Sequence, residues 1–521
     1  MRSAVDRSQF DRAPAVRLPR VARSIVVLLA VLVSGLCELV PAQQNRPNVL
    51  LIAVDDLRPE LVAFGARSGV MSHVDAFAAR STIFTRHYVQ VPTCGASRYA
   101  FLTGRSAHRS RAMGNEACFR GPTAIPQLDR NIANENVANQ RAPRPAWTMP
   151  ELFRQNGYRT TQIGKVSHTP DGRVYAYDGS GNGRDELPGS WDELATPYGP
   201  WKRGWGIFFA YADGKHREDG EGHRDLMEFV AEKDEDLPDG LLAQQAVRTI
   251  EESAPKGAPF FLAVGFYKPH LPFVATKADL EAIENNDKVE DAEDPAKSAS
   301  HWFHASREFF RYANDFSNER PLPEGDRMSA RRAYLACVRF VDRQIGKVLG
   351  ALDRSGLADN TIVVFWSDHG WHLGDSGIWG KHTPFERALH SPLLVRVPAS
   401  LKIDAPRSVD RLVSSLDVYP TLVELCNLER RATANPLDGR SLVPLLRGER
   451  EVPWRPAVFG YWNGAITVRD ETHRLIFRRA KDGALRDVEL YDVRSGPDPT
   501  VDLAASEPAI VERLLAYADG R

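Results

Sequence analysis

The chain has 521 residues, 43% of them hydrophobic and 26% charged, with a formal net charge of −1. That length supports a large core and more than one domain, and the composition is that of an ordinary globular protein. Six Arg sit in residues 1–42 against Asp6, Asp11 and Glu38, so the remainder is mildly acidic. This excludes broad, non-specific binding to nucleic acid. An anionic substrate would need positive charge concentrated in a pocket.

Residues 1–42 read as a secretory signal. A basic part ends at Arg23, the apolar run Ser24–Val33 follows, and Val40-Pro41-Ala42 offers a small-residue exit. The apolar run is short for a spanning helix. The expected destination is outside the cytoplasm, periplasmic or secreted. No second long apolar run occurs, so no stable membrane insertion is expected once the leader is gone. Five cysteines (Cys37, Cys94, Cys118, Cys337, Cys426) are too few for a disulfide framework in so long a chain. The absence of any Cys-x-x-Cys pair excludes a zinc ribbon.

After the leader, Asn48–Val54 is almost continuously apolar and stops at Asp55-Asp56. A run apolar on both faces suits a strand inside a covered, parallel sheet. Pro259–Phe266 has the same form and leads into Lys268-Pro269-His270. Thr361–Trp366 leads likewise into Asp368-His369. Tyr158–Ile163 and Pro392–Val397 are shorter candidates. Helices lie between: Leu241–Glu252, and Ala330–Leu352, where Tyr334, Val338, Val341, Ile345, Val348 and Leu352 form one apolar stripe before Gly356. From Pro456 the pattern changes to short strands, Ala457–Trp462, Ala465–Val468, Leu475–Arg478 and Val488–Tyr491, with a last helix over Pro508–Ala518. The expected fold class is α/β, a large mainly parallel central sheet flanked by helices. A smaller C-terminal α+β subdomain with an antiparallel sheet follows. The expected boundaries are 43–445 and 446–521. The charged stretch Asp213–Glu235 reads as a solvated loop.

Ligands of open α/β sheets bind beyond the carboxyl ends of the strands. Three strand ends here carry Asp55-Asp56, Lys268 with His270, and Asp368-His369. Several carboxylates with an imidazole fit a hard divalent cation, calcium or magnesium rather than zinc, and spacing does not choose between the two. Cys94 stands between Pro92 and Gly95 at the start of a predicted helix, where free amides favour anions. Arg98 lies one turn on.

Cys94-Gly95-Ala96-Ser97-Arg98, continued by Thr103-Gly104-Arg105, resembles the signature of the formylglycine-dependent sulfatases, members of the alkaline phosphatase superfamily. Gly164-Lys165-Val166-Ser167-His168 is similar to the family's Gly-Lys-x-x-His segment. Lys268-Pro269-His270 and Ser367-Asp368-His369-Gly370-Trp371, with Gly380-Lys381 downstream, look like later family blocks and most resemble the iduronate-2-sulfatase branch. The resemblance implies one calcium ion held by Asp55, Asp56, Asp368, His369 and a formylglycine made from Cys94. It implies catalytic roles for Cys94, Arg98, Lys165, His168, His270 and Lys381. Lys268, His372 and His382 are candidates for substrate contact. It further implies a sulfated carbohydrate as substrate, with 2-O-sulfated iduronate or a related uronate first, and a formylglycine-generating enzyme as maturation partner. A phosphoester or phosphonate hydrolase of the superfamily would use the same metal edge, and a glycan-binding relative would have lost turnover. Cys94 within the full signature argues against the first, and the intact Arg98, His168, His270 and Lys381 against the second.

Overall fold

The computed structural model describes residues 46–119, 146–254, 257–292, 296, 298–304, 307–317, 319–429, 436–494, 496 and 501–520. The leader expected at 1–42 lies outside the described residues.

Eight strands form the central sheet: β1 (Asn48–Asp55), β2 (Thr82–Phe84), β3 (Arg159–Gly164), β4 (Glu193–Leu194), β5 (Phe260–Pro269), β6 (Thr361–Ser367), β7 (Leu393–Arg396) and β8 (Ser408–Val409). Their spatial order is β8-β2-β7-β6-β1-β5-β3-β4. Only β7 runs against its neighbours. The apolar runs owe their lack of alternation to burial on both faces. In β1, Leu50, Ile52 and Val54 enter one core, while Val49, Leu51 and Ala53 enter the other. In β6, Val363 and Phe365 take the first side, and Ile362, Val364 and Trp366 the second. Each Val, Leu, Ile or Phe among them contributes roughly 1.5–3 kcal/mol on burial, so the central strands anchor the fold.

Four helices matter for the site and its frame: α1 (Cys94–Thr103), α2 (Pro238–Ser253), α3 (Glu324–Arg354) and α4 (Pro508–Asp519). The stripe expected on Ala330–Leu352 is buried along α3, against α2 and the first core. The helix starts earlier than its stripe, at Glu324 after Pro323, with Glu324 and Asp326 in the first turn. Those acidic groups suit the positive end of a helix dipole. Gly356 beyond its end has φ 71°, the left-handed conformation a helix terminator adopts.

Towards the C-terminus, β9 (Val458–Trp462), β10 (Ala465–Arg469), β11 (His473–Arg479) and β12 (Leu485–Asp492) form an antiparallel meander. Leu514 and Ala518 of α4 pack with Val468, Leu475, Phe477 and Leu490 of this sheet in a separate small core. Residues 47–521 nonetheless cluster as one unit. Arg474 of β11 forms a buried ion pair with Glu386, and Tyr461 donates its backbone N–H to Gln90 O at 2.9 Å. No helix among the described residues is long and apolar enough to cross a membrane.

Candidate active site

Parallel pairing delivers the chemistry to one edge. Val54 is in register with Ser367, Asp55 with Pro269, and Gly164 with Gly265, so the four strands end together. Asp55-Asp56, Lys165, His270 and Asp368-His369 follow directly. Asp56 has φ 61°, unusual for a residue with a side chain. The turn is fixed on several sides. Its N–H donates to Asp368 Oδ1 at 3.1 Å, its carbonyl accepts from Tyr334 OH at 2.9 Å, and Leu57 N–H donates to Ser367 Oγ at 3.1 Å.

Cys94 is the first residue of α1, whose ten residues are all buried. Gly95 is required by a close approach: a Cβ there would stand 2.2 Å from the backbone oxygen of Asn115. The Asn115 side chain accepts from Gly95 N–H and Thr93 Oγ1, both at 2.9 Å, and so braces the start of the helix.

Arg98 lies behind Cys94 with no solvent exposure. Its Nε donates to Asp368 Oδ2 at 2.9 Å, its Nη2 to Asp55 Oδ1 at 3.1 Å, and its Nη1 to the Lys165 and Val166 carbonyls. Lys165 Nζ reaches Asp55 Oδ2 at 2.6 Å and sits 4.0 Å from the centre of the Phe208 ring. Lys381 Nζ spans both oxygens of Asp56 at 2.9 and 3.0 Å. Burial opposes the charge of Asp55 most strongly, yet Lys165 and Arg98 outweigh it and hold the carboxyl well below its ordinary range. For Asp56 burial wins over Lys381 and His369, and the carboxyl is pushed up to about 7. A cation beside Asp56 would add to the charge of Lys381 in offsetting the cost of that burial.

One ligand atom each from Asp55, Cys94, Asp368 and His369 lies within 4.8 Å of the others, all four residues buried. His369 Nδ1 is 3.0 Å from Gly370 O, the contact of an N–H donor, which leaves Nε2 bare towards Cys94 Sγ at 3.5 Å and Asp56 Oδ1 at 3.3 Å. A backbone acceptor on the far nitrogen is the usual way a ligating imidazole is oriented. The two carboxylates and the imidazole fit a hard divalent cation, with the Cys94 side chain beside them. Burial, then Asp55, pushes the Cys94 thiol well above its ordinary value, so the unmodified thiol is not an activated nucleophile.

A cavity of about 430 Å³ opens above Cys94 and is also lined by Lys165, His168, His270, Lys381 and His382. His168 rests between Phe119 and Trp205, and its Nδ1 has no partner among the described residues. Burial, then Lys165, lowers its pKa well below the ordinary value. His270 Nδ1 contacts Leu271 O at 2.7 Å, and Nε2 lies 3.4 Å from Glu308 Oε1 and 3.7 Å from Asp56 Oδ2. Burial, then Lys381, lowers its pKa to about 4. His382 stacks on Trp462 of β9 at 4.7 Å, so the C-terminal sheet supports the cavity wall.

Lys268 and His372, expected as substrate contacts, are not among the described residues lining this cavity. Lys268 Nζ turns back to the carbonyls of His270 at 3.1 Å and Pro272 at 2.6 Å, and His372 Nε2 is 2.9 Å from Thr383 Oγ1. Both are buried struts of the loops that carry the site. The stretch Asp213–Glu235 also needs correction as a solvated loop. It brings Arg217, Glu218 and Arg224 to the cavity, and its Met227–Ala231 pairs in parallel with Phe273–Thr276. Charge density alone does not separate a face turned to water from one turned to an anionic ligand. Sequence reasoning missed Glu308 and the aromatic wall of Tyr177, Trp205, Phe208 and Phe209 as well. Trp205–Tyr211 is a dense aromatic run that signalled at least a buried wall.

Among known proteins, a family model described as Sulfatase matches residues 47–428, and one described as N-sulphoglucosamine sulphohydrolase, C-terminal, matches residues 374–508. The iduronate 2-sulfatase of Mus musculus is 32% identical over 415 residues, covering 73% of this chain and 69% of that protein. The Homo sapiens iduronate 2-sulfatase is 31% identical, covering 82% and 74%. The crystal structure of a phosphonate monoester hydrolase of Agrobacterium radiobacter superposes with a TM-score of 0.68 at 23% identity, covering 91% and 94% of the two chains. The chain belongs to the sulfatase family of the alkaline phosphatase superfamily. The mainly parallel sheet with its separate antiparallel one is the fold that the resemblance implied.

Proposed function

We propose that the protein is a formylglycine-dependent sulfuric ester hydrolase acting on a sulfated sugar, with the 2-O-sulfate of iduronate or a related uronate as its substrate. The observation that carries this is the position of Cys94. It lies at the floor of a cavity, heads a helix, and stands within the Asp55, Asp368 and His369 group with Lys165 and Lys381 beside it. The similarity to the iduronate 2-sulfatases supports the sugar. In this reading residues 1–42 direct export to the periplasm or beyond, a formylglycine-generating enzyme matures Cys94, and the chain divides into a catalytic part, 43–445, and a C-terminal part, 446–521.

Asp55, Asp56, Asp368 and His369 would hold calcium, which with hydrated formylglycine at position 94 supplies charge neutralisation on the sulfate and an oxygen nucleophile aimed at sulfur. Lys165 and Lys381 offset the charge that grows on the sulfate oxygens during transfer. Arg98, wholly behind residue 94, fixes Asp55 and Asp368 in place. His270 turns Nε2 to the cavity with its Nδ1–H held by the Leu271 carbonyl, so it serves as the acid in its imidazolium form, which Glu308 at 3.4 Å and a bound anionic ester favour, and hands the Nε2 proton to the departing alcohol oxygen. His168, kept neutral by burial, accepts a proton as sulfate leaves. His382 lines the substrate's side of the cavity. The net reaction consumes one water, breaks the ester bond and releases the alcohol and inorganic sulfate.

The likeness to a phosphonate monoester hydrolase supports a second reading, in which the same cationic edge takes a tetrahedral phosphorus centre. Parallel turnover of an aryl sulfate and an aryl phosphonate by the matured protein separates the two. Preference for the sulfate is expected, and preference for the phosphonate overturns the first reading.

A further inference from the structure

The cavity carries more cationic charge than one sulfate ester uses. Lys165 and Lys381 are already paired with Asp55 and Asp56, and Arg217 with Glu218 at 2.7 Å. Arg224, Arg307 and Arg311 also line the cavity. All three are exposed, and none has a side-chain hydrogen-bond or ion-pair partner among the described residues. Three guanidiniums lining one cavity with their N–H donors uncommitted offer paired donors to an anionic group of a ligand.

The scaffold under them is ordered. Ala313 N–H donates to Arg224 O at 2.7 Å and Leu226 N–H donates to Ala313 O at 2.9 Å, which sets Arg224 beside the stretch bearing Arg311. Tyr312, next to Arg311, accepts from Arg217 Nη1 at 2.9 Å. Arg307 and Arg311 bracket Glu308, whose carboxylate lies 3.4 Å from His270 and 3.5 Å from Lys381. The arginine group therefore adjoins Glu308, which faces both His270 and Lys381 in the cavity. Tyr177 and Trp205, ring centroids 4.7 Å apart, supply an aromatic wall of the same cavity, suited to the apolar face of a sugar ring.

We infer that Arg224, Arg307 and Arg311 form a second anion subsite. The substrate sugar then carries a further anionic group, a carboxylate or another sulfate, besides the ester that is cleaved at residue 94. This rests on the sulfatase reading above and gives the second anion to these arginines instead of Lys268 and His372, which turn to other partners. Arg recognises carboxylate and sulfate alike through paired N–H donors, so the chemistry is common to both sources.

The test uses matured full-length protein and three defined disaccharides. One bears a single 2-O-sulfate on a terminal uronate, the second is the same compound with its carboxyl reduced to the alcohol, and the third is the reduced compound with a sulfate added on the neighbouring sugar. Wild type is expected to cleave at least one of the two dianionic compounds with kcat/KM about tenfold or more above the monoanionic one. The better of the two names the second anion. Replacing Arg224, Arg307 and Arg311 together by Ser should bring that ratio to within about twofold, and Lys at the same positions should restore part of it. Equal kcat/KM of wild type on all three compounds overturns the subsite, as does a ratio that survives the triple replacement. A wild type that cleaves none of them, nor an aryl sulfate, rejects the sulfatase reading itself.

Discussion

Replacing Arg98 by Met tests whether a single guanidinium holds the carboxylates of the site in place. Met keeps the unbranched stem and gives up every donor. In the wild type Nε is 2.9 Å from Asp368 and Nη2 is 3.1 Å from Asp55, with all three side chains at 0% exposure. After the change Asp55 retains Lys165 and Asp368 retains the Asp56 amide. Breaking a fully buried pair costs about 3–5 kcal/mol, because the surviving charge stays out of water. The assay is urea unfolding followed by tryptophan fluorescence, first in a chelator and then with calcium. In the chelator the variant should lose about 3–5 kcal/mol. With calcium at about a hundredfold excess over Kd, binding stabilises the folded state by about 2.7 kcal/mol. It should help the variant more than the wild type, because the ion replaces the missing positive charge. A variant within about 1 kcal/mol of wild type in the chelator would refute the argument, since the carboxylates would then need no counter-charge from Arg98.

Two further changes probe the frame of the site. Burial opposes the charge of Glu386, but Arg474 and Arg469 outweigh it and hold its carboxyl down to about 2. The folded value lies below the unfolded one, so the resulting stability, roughly 3 kcal/mol, is present above about pH 4.5 and is lost as pH falls towards 2. Acid titration of stability should therefore be shallower in Glu386→Gln than in wild type, and equal slopes would contradict the pairing. At Gly95 a Cβ would lie 2.2 Å from a backbone oxygen. Gly95→Ala should cost about 1–3 kcal/mol in thermal unfolding and lower turnover by shifting Asn115, whereas an unchanged melting temperature would mean that the turn does not pack there.

The strands and the floor of the site were legible in the sequence for one reason. A parallel sheet buried on both faces makes its strands unmistakably apolar, and it must end them at one edge. Asp55-Asp56, His270 and Asp368-His369 could be assigned to a common place without knowing any distance. Cys94 and Arg98 required the family signature, because a short Cys-x-Ala-x-Arg string has no periodicity of its own. The direction of side chains after a strand end was not legible. Lys268 and His372 stand beside site residues in the chain, yet Lys268 Nζ meets the carbonyls of His270 and Pro272, and His372 Nε2 the hydroxyl of Thr383. The outer wall was least legible. Arg224, Arg307, Glu308 and Arg311 come from loops and one short 3-10 turn, Phe309–Arg311, that tertiary pairing, such as that between Arg224 and Ala313, brings together.

The most direct measurement is turnover of an aryl sulfate by protein co-produced with a formylglycine-generating enzyme, compared with Cys94→Ala made in the same way, with mass analysis of the peptide carrying residue 94. The account predicts an aldehyde on the wild-type peptide, sulfate release by the wild type, and none by a variant that still folds. Undiminished sulfate release by Cys94→Ala would contradict it.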